Sequence, residues 1–219
     1  MSEYLSVNKK VYSELELVRE YNKRFYKTKR LYKSFLLPFI RLVEKSSTNK
    51  SVVEFLEIGC GVGVCLKILS EKKIQNTGLD VSRPMVEYAK MNSPKSKLIR
   101  SNFLEFNTRK KYRAIIALAF LHLFPSTLTG VVIRKVGKLL MSDGYFLVAI
   151  RVENKNIVNE GYFRKGDFSG KPHRFMRRFR YKEFVELMKQ YGFRPEKEWQ
   201  GTKKWKVFAF KSDSYKKLR

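Results

Sequence analysis

Cysteine is nearly absent from this 219-residue chain. The two present, Cys60 and Cys65, lie five apart, a spacing that supports neither a disulfide framework nor a zinc site. No apolar run approaches the roughly 18 residues that span a bilayer. The longest candidate, Ala114 to Leu121, ends at His122. The first residues, Met1-Ser2-Glu3-Tyr4, lack the basic-then-apolar pattern of a secretory signal, so a cytoplasmic location is the default expectation. Internal repeats and low-complexity tracts are missing, and the length suits one domain that buries roughly 70% of its unfolded surface. Acidic residues are scarce: 47 Lys and Arg face 20 Asp and Glu, a net charge of +27. Such a field attracts polyanions. The excess is spread along the chain, however, as a merely compositional bias would spread it.

The stretch Glu57-Ile58-Gly59-Cys60-Gly61-Val62-Gly63 organises the rest. It follows an apolar run, residues 52–58, read as the first strand, and precedes a helical segment, Val64 to Lys72. A glycine turn between strand and helix leaves backbone N–H groups free at the positive end of a helix dipole. The dinucleotide pattern G-x-G-x-x-G would need glycine at position 64. Val64 stands there, and an acid, Glu57, precedes the first glycine. Glu57 repels a pyrophosphate and attracts a cation, so a ligand with an adenosine and a positive centre fits better than a dinucleotide. The second strand, Thr77 to Val81, carries Asp80, about 20 residues past the turn, where a carboxylate accepts bonds from ribose hydroxyls.

These residues, with Ser101-Asn102-Phe103 and Tyr112 to Leu123, match in order the motifs of the class I S-adenosylmethionine-dependent methyltransferases, which the chain resembles over roughly residues 50–150. The resemblance implies a seven-stranded Rossmann-like α/β sandwich, mostly parallel, with the last strand antiparallel. It divides the chain into an N-terminal helical cap (1–50), a methyltransferase domain (51–211) with a lid-like insertion (151–180), and a basic tail (212–219). It makes S-adenosylmethionine the cofactor. Gly59, Gly61 and Gly63 would shape the turn beside it, Glu57 would face its sulfonium and methionine end, and Asp80 would hold the ribose. Asn102 stands where similar enzymes commonly carry Asp, and its amide oxygen can still accept a bond from the adenine amino group. Phe103 would pack on the adenine face or belong to the core. Tyr12 and Tyr21 would reach the cofactor from the cap or only pack its helices.

Strand four, Tyr112 to Ala119, is a continuous buried-type run. Ligands bind beyond the carboxyl ends of such strands, so Ala117 to His122 should line the pocket. The segment lacks the N/D-P-P-Y/F motif of many base N-methyltransferases, and no cysteine follows strand four. Phe120-Leu121-His122-Leu123 resembles the small-molecule branch, with His122 as a general base or a wall residue.

Elsewhere, Ser13-x-x-Glu16 reads as a capping box, Leu31 to Lys45 as a helix that Pro38 starts or kinks, and Ser82 as a cap with Pro84 in the first turn. A helix is expected from Thr127 to Met141, a chain turn at Ser142-Asp143-Gly144, and a strand from Tyr145 to Ile150. Residues 151–180 show no clear periodicity, and their basic and aromatic residues alternate. That suits a lid over an anionic small molecule or a surface for stacking on RNA bases. The reading is methyl transfer to an O or N atom of a small molecule. RNA methylation, or RNA binding without catalysis, are the alternatives. The sequence leaves the oligomeric state open.

Overall fold

The computed structural model describes residues 3–46, 54–153, 160–164, 173–202 and 204–213. Three helices come first: α1 (Glu3–Ser13), α2 (Leu15–Lys23) and α3 (Phe25–Lys45). An α/β alternation follows, with β1 (Glu54–Ile58), α4 (Val64–Glu71), β2 (Gln75–Asp80), α5 (Arg83–Asn92), β3 (Lys97–Arg100) and β4 (Tyr112–Leu118). Then come a 3-10 turn (Leu121–Leu123), α6 (Ser126–Leu139), β5 (Leu140–Arg151), a hairpin of β6 (Glu160–Arg164) and β7 (His173–Arg177), α7 (Tyr181–Gln190), β8 (Phe193–Gln200) and β9 (Trp205–Ser212). Seven strands form one sheet in the order β3-β2-β1-β4-β5-β9-β8. The first five run parallel, and β9 inserts antiparallel between β5 and β8. This is the expected Rossmann-like methyltransferase sheet. The order reverses between β1 and β4, and the carboxyl ends of those strands open toward a crevice.

Alternation along the central strands splits the core in two. Phe55, Ala114, Ile116, Tyr145 and Leu147 face α3 and α4. Leu56, Ile58, Ile115, Ala117, Phe146 and Val148 face α6 and α7. A side-chain period of two makes this division unavoidable once the strands are buried on both faces. Among the described residues no helix is long and apolar enough to cross a membrane.

Four expectations are corrected. Ser13 ends α1, and Glu14 takes the N-cap of α2 with no side-chain cap bond, so the Ser13–Glu16 capping box does not form. Helix α3 starts at Phe25 and not at Leu31 or Pro38; the proline lies well inside it, which excludes the start and leaves the kink as the other alternative. The helix after Pro125 ends at Leu139, and Ser142-Asp143-Gly144 is no chain turn. Asp143 adopts φ 57° within β5, and the pairing with β4 shifts register between Tyr112 and Ala114, so the chain bulges without leaving the sheet. Finally, residues 151–180 are partly regular: β6 and β7 pair antiparallel, Tyr162 opposite Phe175. Of that stretch, residues 154–159 and 165–172 lie outside the described residues, as do Val52, Val53 and the tail from 214.

Helix α3 is fastened to the sheet by Phe39, which is fully buried and meets Phe55 edge-on at 6.1 Å and Tyr145 at 6.4 Å. Truncation there leaves a cavity that backbone on both sides cannot close. Phe39→Ala is expected to lower the free energy of unfolding by about 3–5 kcal/mol, read by urea denaturation. A loss below about 1 kcal/mol would mean that α3 is not part of the core.

Candidate functional site

The turn between β1 and α4 has three glycines at positive φ: 69° at Gly59, 51° at Gly61 and 83° at Gly63. Two of them are also places of close approach. A Cβ on Gly59 would sit 2.5 Å from the Phe120 ring, and one on Gly63 would sit 3.1 Å from the Ala89 backbone. Gly63 therefore lets α4 pack on α5, while Gly59 lets the loop after β4 close over the turn.

Asp80, at the tip of β2, ties the site's loops together. Its Oδ2 accepts from the Gly61 N–H at 2.9 Å, and its Oδ1 accepts from the Ser82 N–H at 2.9 Å. Burial raises its pKa, and those backbone donors oppose the rise. Ser82 caps α5 by accepting from Met85 N–H at 3.3 Å, and its hydroxyl donates to the Tyr12 carbonyl at 2.8 Å. The end of α1 is thereby held against the start of α5.

Asn8 fixes the middle of α1. Its amide donates to the carbonyls of Leu123 and Phe175, and its Oδ1 accepts from the Phe175 N–H at 2.9 Å. Sequence reasoning missed this buried asparagine. The signal was a polar residue on the apolar face formed by Tyr4 and Val11.

Together these contacts border a cavity of about 470 Å³, a size typical of small-molecule sites. Glu57, Gly59, Gly61, Asp80, Asn102 and Phe103 line one part. Tyr4, Asn8, Tyr12, His122, Arg174 and Trp205 line another, and Tyr21 and Tyr32 contribute from α2 and α3. Three residues expected here are placed elsewhere, Leu121 among them, fully buried in the core under the loop after β4. Ala117 is fully buried on the α6 face of the sheet, and the wall is made by Leu118, Ala119 and Phe120. Gly63 lies under the turn beside α5 and does not line the cavity.

Asn102 folds on itself: its Oδ1 accepts from the Leu104 N–H at 3.1 Å, and its amide donates to Glu105 at 3.0 Å. Phe103 is buried, meets Phe120 edge-on at 5.8 Å, and has the Lys135 ammonium over its ring. His122 is buried too, with its ring 5.1 Å from Trp205. Its Nε2 lies 3.1 Å from Arg174 Nη1. A guanidinium nitrogen only donates, so that ring nitrogen is the acceptor, turned toward a cation.

Glu57 carries the most unusual electrostatics. It is 4% exposed, and its Oε2 is buried with no hydrogen-bond partner. Burial pushes its pKa up to about 8; the neighbouring Cys65 thiol opposes that, and the nearby Asp80 charge adds to it. The same enclosure raises Tyr32 and Cys65. An acid near 4.5 when unfolded and about 8 when folded keeps its proton longer in the native state. Its contribution to stability is thus full below pH 4.5 and lost as pH rises through about 8. Glu57→Gln should gain stability relative to the parent across that window, by about 2–4 kcal/mol in urea unfolding. A difference that does not vary with pH would show that Glu57 titrates as an exposed acid.

The model of the methyltransferase domain family matches residues 22–198. Among curated proteins, an uncharacterized protein of Methanocaldococcus jannaschii is 29% identical over 138 residues, 61% of this chain and 51% of that protein. The ribosomal RNA small subunit methyltransferase A of Flavobacterium johnsoniae is 37% identical over 65 residues, 29% of this chain and 25% of that protein. The chain thus spans about half and about a quarter of the lengths of these two relatives. Among solved structures, magnesium protoporphyrin IX methyltransferase from Synechocystis PCC 6803 with bound SAH superposes with a TM-score of 0.65 at 14% identity, covering 95% of this chain and 99% of that one. A SAM-dependent methyltransferase from Methanosarcina mazei gives 0.65 at 17% identity, covering 75% and 94%. At such identities the likeness is one of fold. The strand order, the glycine turn with its paired acids, and a family match over most of the sequence agree, and the chain belongs to the methyltransferase domain family.

Proposed function

We propose that the protein transfers a methyl group from S-adenosylmethionine to an oxygen or nitrogen atom of a small molecule. The observation that carries this reading is the cavity bordered by both the glycine turn and the tip of β2. Its glycine-turn part offers an acid with a buried, unpartnered oxygen, Glu57, and a strand-tip carboxylate, Asp80. A cofactor bearing an ammonium and a sulfonium suits the first, and ribose hydroxyls suit the second. Both relatives of like fold named above carry SAM or SAH in their descriptions, which supports the same cofactor here.

The chemistry asks little of acids and bases. The acceptor's lone pair forms a bond to the methyl carbon while the carbon–sulfur bond breaks and its electron pair stays on sulfur, leaving a neutral thioether. The positive charge passes to the acceptor atom, whose proton, where it carries one, is released to water. The methyl carbon is already activated, so the protein's task is to hold acceptor and carbon about 3 Å apart and in line. Gly59 and Phe120 set how closely the turn and the loop after β4 approach. Asn102 supplies an amide oxygen near the expected adenine position, and Phe103 an apolar wall. His122 is read as a wall residue that orients Arg174. As a base it would have to become an imidazolium beside a guanidinium.

Two observations favour a small acceptor. The helices α1–α3 wall the cavity as a cap, with Tyr12 and Tyr21 facing it. Among the described residues of 151–180, several basic side chains are engaged within the protein: Arg178 lies over the Phe163 ring, Arg177 over Phe179, and Arg180 pairs with Glu183 at 3.0 Å. RNA is the second reading, favoured by the net charge of +27 and the short stretch like a ribosomal RNA methyltransferase.

Asp80→Ala is expected to weaken S-adenosylhomocysteine binding by about 10- to 100-fold, measured by titration calorimetry. Unchanged affinity would remove Asp80 from the site. Labelled methyl groups offered with a cell extract should enter the small-metabolite fraction, at a rate little changed between about 50 and 200 mM salt. Label in RNA, falling steeply with salt through counterion release, would establish the second reading.

A further inference from the structure

Among the described residues no carboxylate compensates the charge of Arg174. It projects from β7 into the cavity and is 8% exposed. Its contacts are the Tyr12 hydroxyl, His122 Nε2 at 3.1 Å and Met176 Sδ at 3.6 Å, with the Tyr12 ring 5.9 Å from the guanidinium carbon. All of these groups are neutral. Arg151, by contrast, pairs with Glu153 at 2.9 Å. Among the described residues Arg174 has no carboxylate partner. A buried guanidinium held only by neutral groups costs several kcal/mol unless a counter-charge reaches it.

The contacts also leave a particular edge open. Nη1 is committed to both Tyr12 and His122, which fixes the plane of the group. Nη2 meets only a thioether, a weak acceptor, and Nε has no partner among the described residues. The Nε–Nη2 edge is the side-on fork whose two parallel donors match the two oxygens of a carboxylate. One free edge suits a planar two-oxygen group better than a phosphate, whose further oxygens would find no donors on the committed side. The surroundings, Tyr4, Trp205 and Phe124, are aromatic and raise the worth of a charge pair by excluding water.

We propose that Arg174 anchors a carboxylate of the methyl acceptor, with Tyr12 and His122 as positioning residues that hold the guanidinium in plane. The acceptor is then an anionic small molecule, tethered at the His122 end of the cavity, with a separate O or N atom presented to the methyl group. This inference rests on the methyl-transfer reading and deepens it.

The test separates the two. Small metabolites are divided on an anion-exchange resin, and labelled methyl transfer is followed with wild type, Arg174→Gln and Arg174→Lys, alongside S-adenosylhomocysteine affinity for each. The label is expected in the resin-retained fraction, in compounds whose retention survives phosphatase treatment. Arg174→Gln should lower kcat/KM on that fraction about 100-fold, mostly through KM, because a buried charge partner is removed. Arg174→Lys should recover part of the loss, and both variants should bind S-adenosylhomocysteine within about twofold of wild type, which also shows that they fold. Label confined to neutral compounds, to phosphatase-sensitive ones or to RNA overturns the proposal, as does undiminished transfer by Arg174→Gln. Cofactor-product binding with no label in the retained fraction overturns it while leaving the cofactor assignment standing. Failure of the wild type to bind S-adenosylhomocysteine removes the methyl-transfer reading itself.

Discussion

Two backbone N–H groups donated to one carboxylate set the geometry on which the rest of this structure depends. Gly61 reaches Asp80 from the turn after β1, and Ser82 reaches it from the start of α5. Without that acid, two adjacent loops at the ends of parallel strands would each keep an unsatisfied donor. Among the described residues, only the bonds from the Gly59 and Cys60 N–H groups to the Leu79 carbonyl and from Asn92 to the Val62 carbonyl would then tie the turn to its neighbours. With it, the left-handed glycines are locked, α5 starts at a fixed point, and Ser82 is presented to the carbonyl of Tyr12. The hold on α1 is thus a consequence of how the glycine turn is satisfied.

The central part of the chain was legible because its signals are local. Continuous apolar runs mark strands buried on both faces, and the glycines of 59–63 cannot serve an ordinary helix or strand interior. The acid at position 80 falls where a second parallel strand must end. These features point to the parallel strands, the family resemblance adds the antiparallel last strand, and part of the lining follows: Glu57, Gly59, Gly61, Asp80, Asn102, Phe103 and His122 all come together around one cavity. Ala117 was misplaced by one residue's worth of alternation. Its neighbour Leu118 faces the cavity, and a period of two sends Ala117 to the opposite side of the sheet.

What was not legible depended on partners far away in sequence. Asn8 looks like a surface residue until its acceptors, 115 and 167 positions along, are known. Ser142-Asp143-Gly144 has the composition of a turn. Pairing of the flanking Leu140 and Tyr145 with β4 keeps the strand in the sheet on both sides of them, and the left-handed Asp143 sits in the register shift between. Ser13 and Glu16 have capping-box spacing, but α1 and α2 are almost continuous, and the break falls one residue later than the motif implies. The β6–β7 hairpin escaped periodicity analysis because five-residue strands at the margin of a fold bury some aromatics and expose others.

The way α1 is fastened has a kinetic meaning. Its apolar residues contribute Tyr4 and Val11, but its register over the cavity is held by hydrogen bonds, through Asn8 to Leu123 and Phe175 and through Tyr12 to Ser82. Hydrogen bonds are short-ranged and directional, so such a wall does not loosen gradually. It stays in place until several bonds break together, and water then replaces them at little net cost. Exchange of a molecule past α1 would therefore be a discrete event, with a dwell time set by that small cooperative group and independent of the barrier to the reaction inside.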